Sequence, residues 1–248
     1  MMALRQATAP ARAAWGSEQT EALERGLREL GLNPTPGQKA TLRGYGELLL
    51  KWNRTYNLLG ATTAAAMLEE HLLDSLAALP ALTAWLPPSG STLIDVGTGA
   101  GLPGLVLAIM LPHVPIVLVE PVGKKAAFLR QVVAECRLPT VRVLEARIED
   151  VPAGELLPEP AQLPHFICRA FASLEQFVEL CLPQLHERSL LFAMKAAKVQ
   201  QEVQQLGSSI EVLAVETLRT VEKEVQRNLV VMRSRKSCPS SDSTTPAR

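Results

Sequence analysis

Metal-ligand spacing is missing from this sequence: Cys136, Cys168, Cys181 and Cys238 are scattered, with no C-x-x-C and no nearby histidine. That excludes a zinc site and a disulfide framework, and predicts reduced thiols in a cytoplasmic protein. Net charge is missing too, since 25 Lys and Arg balance 25 Asp and Glu. A nucleic-acid partner must therefore meet a local patch, not a generally basic surface. No apolar run is long enough to span a membrane, because residues 102–119 are broken by Pro103, Pro112, His113 and Pro115. No secretory hydrophobic segment opens the chain and no internal repeat is present. Residues 1–17 hold Arg5, Arg12, many alanines and no acid. Their composition predicts a disordered extension, not a transit peptide.

What is present changes period at residue 91. From 18 to 90 the pattern is helical: Leu23, Leu27 and Leu30 share one face, Leu42, Tyr45, Leu49 and Trp52 a second. Leu68, Leu72, Leu76 and Leu79 mark a third helix over 64–79, ended by Pro80. This predicts a helical subdomain, joined by Leu86-Pro87-Pro88-Ser89-Gly90 to the rest of the chain. Beyond it, strands at 91–96, 115–120, 140–144, 165–169, 189–195, 210–217 and 228–233 alternate with helices at 103–111, 124–137, 174–182 and 198–206. Such alternation predicts an α/β fold, a doubly wound and mostly parallel seven-stranded sheet over 91–235. Residues 151–164 read as a surface loop and 236–248, rich in Ser, Thr and Pro, as a disordered tail.

The stretch Leu93 to Gly104 reads as strand, glycine loop and helix start, with Pro103 in the first helical turn. Gly99, Gly101 and Gly104 satisfy the dinucleotide pattern G-x-G-x-x-G, whereas Gly97, Gly99 and Gly101 satisfy the G-x-G-x-G of S-adenosylmethionine binding. Asp95, at the strand end, favours the second, because a carboxylate there meets an ammonium group. Glu120 ends the next strand, 19 residues beyond Gly101, where an acid accepts hydrogen bonds from ribose hydroxyls. After the third strand, Ile148 is placed to cover an adenine ring, although Glu149 and Asp150 also suit a helix start.

The end of the fourth strand carries Cys168-Arg169-Ala170-Phe171-Ala172-Ser173. Neither an Asn/Asp-Pro-Pro-aromatic motif nor a Pro-Cys nucleophile is present, which argues against methylation of an exocyclic amine or of a pyrimidine carbon. Arg169 offers instead a bidentate clamp for phosphate or carboxylate, or a structural ion pair. His71, Asp74 and Ser75 share one helical turn, where no oxyanion hole can form, so they are not a hydrolase triad. His71 either caps the cofactor cleft with Asp74 or is a buried structural histidine. Trp52 and Tyr56, flanking Asn53 and Arg54, either stack on a base or anchor their helix. Between 124 and 147, six cations (Lys124, Lys125, Arg130, Arg137, Arg142, Arg147) face two acids, Glu135 and Glu145. That excess suits RNA phosphates or is a solvated helix face, and Lys195 adds a cation at the end of the fifth strand.

Together these segments resemble the RsmG family, also called glucose-inhibited division protein B. The matching pieces are Trp52 to Leu58, His71 to Leu76, Asp95 to Gly104, Gly123-Lys124-Lys125 with Phe128-Leu129, Cys168 to Ala172, Met194-Lys195 and Arg227 to Val231. The resemblance implies a helical cap on a Rossmann-like class I methyltransferase sheet, with S-adenosylmethionine as donor. Its acceptor would be guanine N7 in bacterial 16S rRNA, at the guanine 527 site of the decoding-region loop. It carries cofactor contacts onto Gly97, Leu102, Ile148, Glu149 and Arg169. Departures are Glu120-Pro121 for the usual Asp-Ser, Cys168 for Ser and Ala196 for Gly.

Guanine N7 has a free in-plane lone pair and no proton, so no general base is required and positioning suffices. Arg169, His71 and Lys195 are the positioning candidates; Arg54, Lys124, Lys125 and Arg130 are the RNA candidates. The partner is 16S rRNA or the 30S subunit, met by a monomer away from any membrane. Two rival readings are an NAD-dependent Rossmann oxidoreductase and an inactive RNA-binding or nucleotide-sensing module.

Overall fold

The structure, a computed structural model, describes residues 15–159, 162–171, 173–196, 199–221, 224 and 226–235. The expected tail and most of the expected extension lie outside these residues. The ring of Trp15 lies against Gly46.

Four helical stretches come first. Helix α1 (Ser17–Glu29) buries Leu23 and Leu27. Helix α2 (Pro36–Tyr56) starts with a capping box: Thr35 Oγ1 accepts from Gln38 N, and Gln38 Oε1 accepts from Thr35 N. The Gln38 amide also donates to the carbonyls of Ile109 and Met110, tying this start to the sheet domain. The third helix departs from expectation. It runs as α3 (Ala64–Ala66), a π-helical segment (Met67–Leu73) and α4 (Asp74–Leu76), so the expected α-helix over 64–79 is widened in its middle. Pro80 does not follow a helix but sits in the first turn of α5 (Leu79–Trp85), where its missing N–H is harmless.

The sheet comes next: β1 (Ser91–Val96), α6 (Gly104–Met110), β2 (Ile116–Val119), α7 (Gly123–Glu135), β3 (Val141–Leu144), α8 (Ala153–Leu156), β4 (Leu163–Arg169), α9 (Leu174–Cys181), β5 (Leu191–Ala196), α10 (Val199–Gln205), β6 (Ile210–Leu218) and β7 (Arg227–Ser234). Pro103 is the residue before α6, not a residue of its first turn. The expected loop 151–164 contains α8 and buries Leu156, so part of it is core.

The seven strands lie in the order β3-β2-β1-β4-β5-β7-β6. Only β7 is reversed, pairing antiparallel with β5 and β6. The doubly wound, mostly parallel sheet expected from the alternation is therefore the one that forms. Its strand order turns back between β1 and β4, and in such sheets ligands bind outside the carboxyl ends of the strands at that point. Alternation along each strand divides the core. Leu93, Leu118, Ile167 and Phe192 pack with α2, α6 and α7 in a cluster that continues through Leu42, Leu68 and Leu76. Ile94, Val117, Phe166 and Ala193 pack with Phe177 and Val178 of α9 on the other face. The helices before residue 91 thus share one core with the sheet.

Candidate functional site

Asp95, the penultimate residue of β1, lies on the face that looks toward the first helices, and it is wholly buried. Its Oδ2 accepts from the Gly104 amide at 2.7 Å and from the Thr98 hydroxyl, which folds the glycine loop back onto the strand. Its Oδ1 is buried without a partner among the described residues. Burial lifts the Asp95 carboxyl to about 6, against the opposing pull of the Thr98 and Gly104 hydrogen bonds and of Arg169. Glu120, just past β2 and also buried, accepts from Gly99 N at 2.8 Å and Val122 N at 2.9 Å. Each carboxylate oxygen keeps a second lone pair, so these bonds leave Glu120 able to receive ribose hydroxyls.

The glycines divide by what surrounds them. A Cβ on Gly101 would strike Leu105, and one on Gly104 would strike Leu118 and Asp95; these two are required by packing. Gly99 has φ +61, and a Cβ there would meet nothing within 4 Å, so its backbone borders open space. A buried unpaired acceptor beside an open glycine turn fits a ligand that brings a cation.

Tyr45 reaches this loop from α2. It is fully buried, and its hydroxyl donates to the Ala100 carbonyl at 2.6 Å, while burial raises its pKa. Tyr45→Phe leaves that carbonyl buried without a donor, an expected loss of about 1–2 kcal/mol in urea unfolding. An unfolding midpoint equal to the wild type would show that the loop does not depend on this bond.

At the neighbouring tip of β4, Arg169 is held by the π-helical segment. Its Nη1 donates to the Glu70 carbonyl at 3.2 Å, the His71 carbonyl at 3.4 Å and Asp74 Oδ2 at 3.2 Å. Its Nη2 lies 3.3 Å from His71 Nδ1. A guanidinium only donates, so Nδ1 accepts and the neutral ring carries its proton on Nε2. Burial, then the Arg169 charge, lowers the His71 pKa and keeps the ring neutral. Asp74 also accepts from Arg227 Nε at 2.8 Å through Oδ1. These groups, with Met194, Lys195 and Ala196, line a cavity of about 460 Å³ over the ends of β4 and β5. Lys195 is nearly buried and bound to Glu202 at 2.8 Å and to the Phe171 carbonyl at 3.0 Å, so it shapes the cavity wall.

The remaining expected residues are dispersed. Leu102 and Ile148 are buried in the two core clusters, and Glu149 is exposed beside Arg147 at 3.9 Å. Trp52 packs on Phe128 at 5.5 Å and Tyr56 at 4.9 Å, the anchoring arrangement. Among the RNA candidates, Arg54 is exposed and Lys125 is half-buried. Lys124 donates to the Tyr56 carbonyl at 2.9 Å and Arg130 pairs with Glu145 at 2.8 Å, so half of that patch is engaged within the protein. The Ser75 hydroxyl is buried without a partner among the described residues, and so has no triad bond to His71. Among the described residues no group of His, Cys, Asp or Glu is placed to hold a metal, and no helix is long and apolar enough to cross a membrane.

Sequence reasoning missed three features of the site: the Tyr45 hydroxyl, the π-helical turn and the side of the cavity made by Arg227. A polar tip within the apolar stripe Leu42, Tyr45, Leu49 was the one available signal for the first; the arginine opening a strand was the signal for the last.

Comparison with known proteins agrees with this geometry. The model of the family described as rRNA small subunit methyltransferase G matches residues 38–230. The Ribosomal RNA small subunit methyltransferase G of Salmonella agona is 37% identical over 214 residues, covering 86% of this chain and 98% of the relative. That of Polaromonas sp. is 37% identical over 232 residues, covering 92% and 98%. A SAM dependent methyltransferase from Aquifex aeolicus superposes with a TM-score of 0.50 at 16% identity, over 65% of this chain and 92% of that one, a likeness of fold alone. On the family match and on relatives aligned over nearly their whole length, the chain belongs to the rRNA small subunit methyltransferase G family.

Proposed function

We propose that this chain, acting as a monomer in the cytoplasm, transfers the methyl group of S-adenosylmethionine to N7 of a guanine in the decoding-region loop of 16S rRNA. The observation that carries the reading is the unpaired buried oxygen of Asp95 beside the open Gly99 turn, one strand away from the Arg169 cavity. The first is a place for the ammonium of the donor and the second a place for the acceptor base. Asp95 would hold the ammonium, Gly97 and Gly99 the methionine backbone, and Glu120 the ribose. Leu102, Ile148 and Glu149 would border the adenine, and Arg169 would close the crevice toward the cavity.

When bound, S-adenosylmethionine supplies an electrophilic methyl group on its sulfonium. The protein's own part is orientation and electrostatics. Guanine N7 presents a lone pair and gives up no proton, so the transfer calls for no general base; His71 Nδ1 is in any case occupied by Arg169. The base becomes cationic as its N7 is alkylated, and Asp74 and Glu70 on the cavity wall offset that charge.

Thermal-shift titration tests the donor half. S-adenosylhomocysteine should raise the melting temperature in a saturable way while NADH leaves it unmoved. Stabilisation by NADH alone would overturn the reading in favour of an oxidoreductase.

A further inference from the structure

Arg227 lines the cavity on the side proposed for the acceptor. Because β7 runs against its neighbours, its first residue lies at the sheet edge where β4 and β5 end, and Arg227 pairs in register with Ala196. That edge position is three strands from β1, about 14 Å at ordinary strand spacing. The cations lining the cavity differ in what they have left to offer. Lys195 is bound to Glu202 and a carbonyl, and Arg169 is committed to Asp74, His71 and two carbonyls. Among the described residues, the one short bond of Arg227 is from Nε, to Asp74 at 2.8 Å. Its Nη1 has one long contact of 3.5 Å to the Gln226 carbonyl, and no contact to its Nη2 is found among the described residues. The side chain is 29% exposed, so this end of the guanidinium reaches solvent at the cavity.

We infer that Arg227 binds a phosphate of the acceptor nucleotide through its two terminal nitrogens, with Asp74 as the positioning residue that fixes the guanidinium plane. An arginine anchored at Nε, with Nη1 held only by one long carbonyl contact, is pre-arranged for two parallel hydrogen bonds to phosphate oxygens. Glu70, exposed at the cavity and without a side-chain ion pair among the described residues, also lines it; its charge bars a free anion more than a nucleotide whose base carries N–H donors. The inference rests on the proposal that rRNA is the acceptor.

Arg227→Gln in the full chain tests it, using 30S subunits lacking the modification as probe and salt from 50 to 200 mM. The variant should bind S-adenosylhomocysteine as the wild type does, bind 30S subunits about tenfold more weakly, and flatten the plot of log affinity against log salt by about one phosphate's share. Arg227→Lys, which keeps the charge, should restore the slope. An unchanged slope in Arg227→Gln overturns the inference, as does a loss of S-adenosylhomocysteine affinity equal to the loss of 30S affinity, which would mark a merely structural role. A wild type that binds S-adenosylhomocysteine but neither binds nor methylates 30S subunits overturns the acceptor reading, and this inference with it.

Discussion

Asp95→Asn folds at least as stably as the wild type and binds S-adenosylhomocysteine about 100-fold more weakly, a loss of roughly 3 kcal/mol. The two effects share one cause. Burial lifts the folded-state pKa of Asp95 from 3.8 to about 6, more than the Thr98 and Gly104 hydrogen bonds and the Arg169 charge pull it down. A carboxyl raised on folding contributes stability that is fully present below pH 3.8 and is lost as pH rises through 6, up to roughly 3 kcal/mol by neutral pH. Asparagine is never ionised, so the variant escapes that loss. It also carries an N–H donor toward the ammonium or toward Gly104, where the wild type presents only acceptors. The same ionisation predicts that wild-type affinity for S-adenosylhomocysteine falls as pH drops below about 6, approaching tenfold per unit, while the variant's affinity stays flat. Calorimetric titration from pH 5 to 8 measures both arms. Equal affinities at pH 8 would reduce Asp95 to a clamp for its own loop.

Asp74→Ala should cost about 3–5 kcal/mol of stability and abolish methyl transfer. Asp74 is the only carboxylate, among the described residues, that bonds both Arg169 and Arg227. Its side chain is 10% exposed, that of Arg169 15% and that of Arg227 29%, so removing it leaves the Arg169 guanidinium nearly buried without its carboxylate, beside a second guanidinium that only partly reaches water. Asp74→Asn keeps one acceptor oxygen and should recover part of the stability but little of the activity. Urea unfolding within about 1 kcal/mol of the wild type for Asp74→Ala would show that the arginines are held by other contacts.

Asp95, the glycine loop and Glu120 could be read from the sequence because strand, turn and helix are contiguous there and the period of the apolar residues changes around them. The strand count was legible for the same reason. What stayed hidden is carried by partners far apart in the chain. Tyr45 meets Ala100 across 55 positions and Asp74 meets Arg227 across 153, and neither pair has a local pattern. The basic run at 124–147 hid its pairing for a related cause: its composition is cationic, but Arg130 meets Glu145 once α7 and β3 pack. The π-helical turn was invisible because it has the leucine spacing of an α-helix; the extra width shows only in where the Glu70 and His71 carbonyls point. Arg169 reads from the sequence as a clamp for phosphate or carboxylate or as a structural ion pair; in the structure it meets Asp74 at 3.2 Å, a partner the sequence does not name.

Methyl transfer to a guanine N7 is tested most directly by supplying S-adenosylmethionine labelled with tritium on its methyl group, together with 30S subunits lacking the modification, and locating the label. Label is expected in 16S rRNA at one guanine of the decoding-region loop, with the chain made cleavable there by borohydride and aniline, the reaction of an N7-alkylated guanine. Label on an exocyclic amine or on a pyrimidine carbon, or no label with a protein that binds S-adenosylhomocysteine, would contradict it.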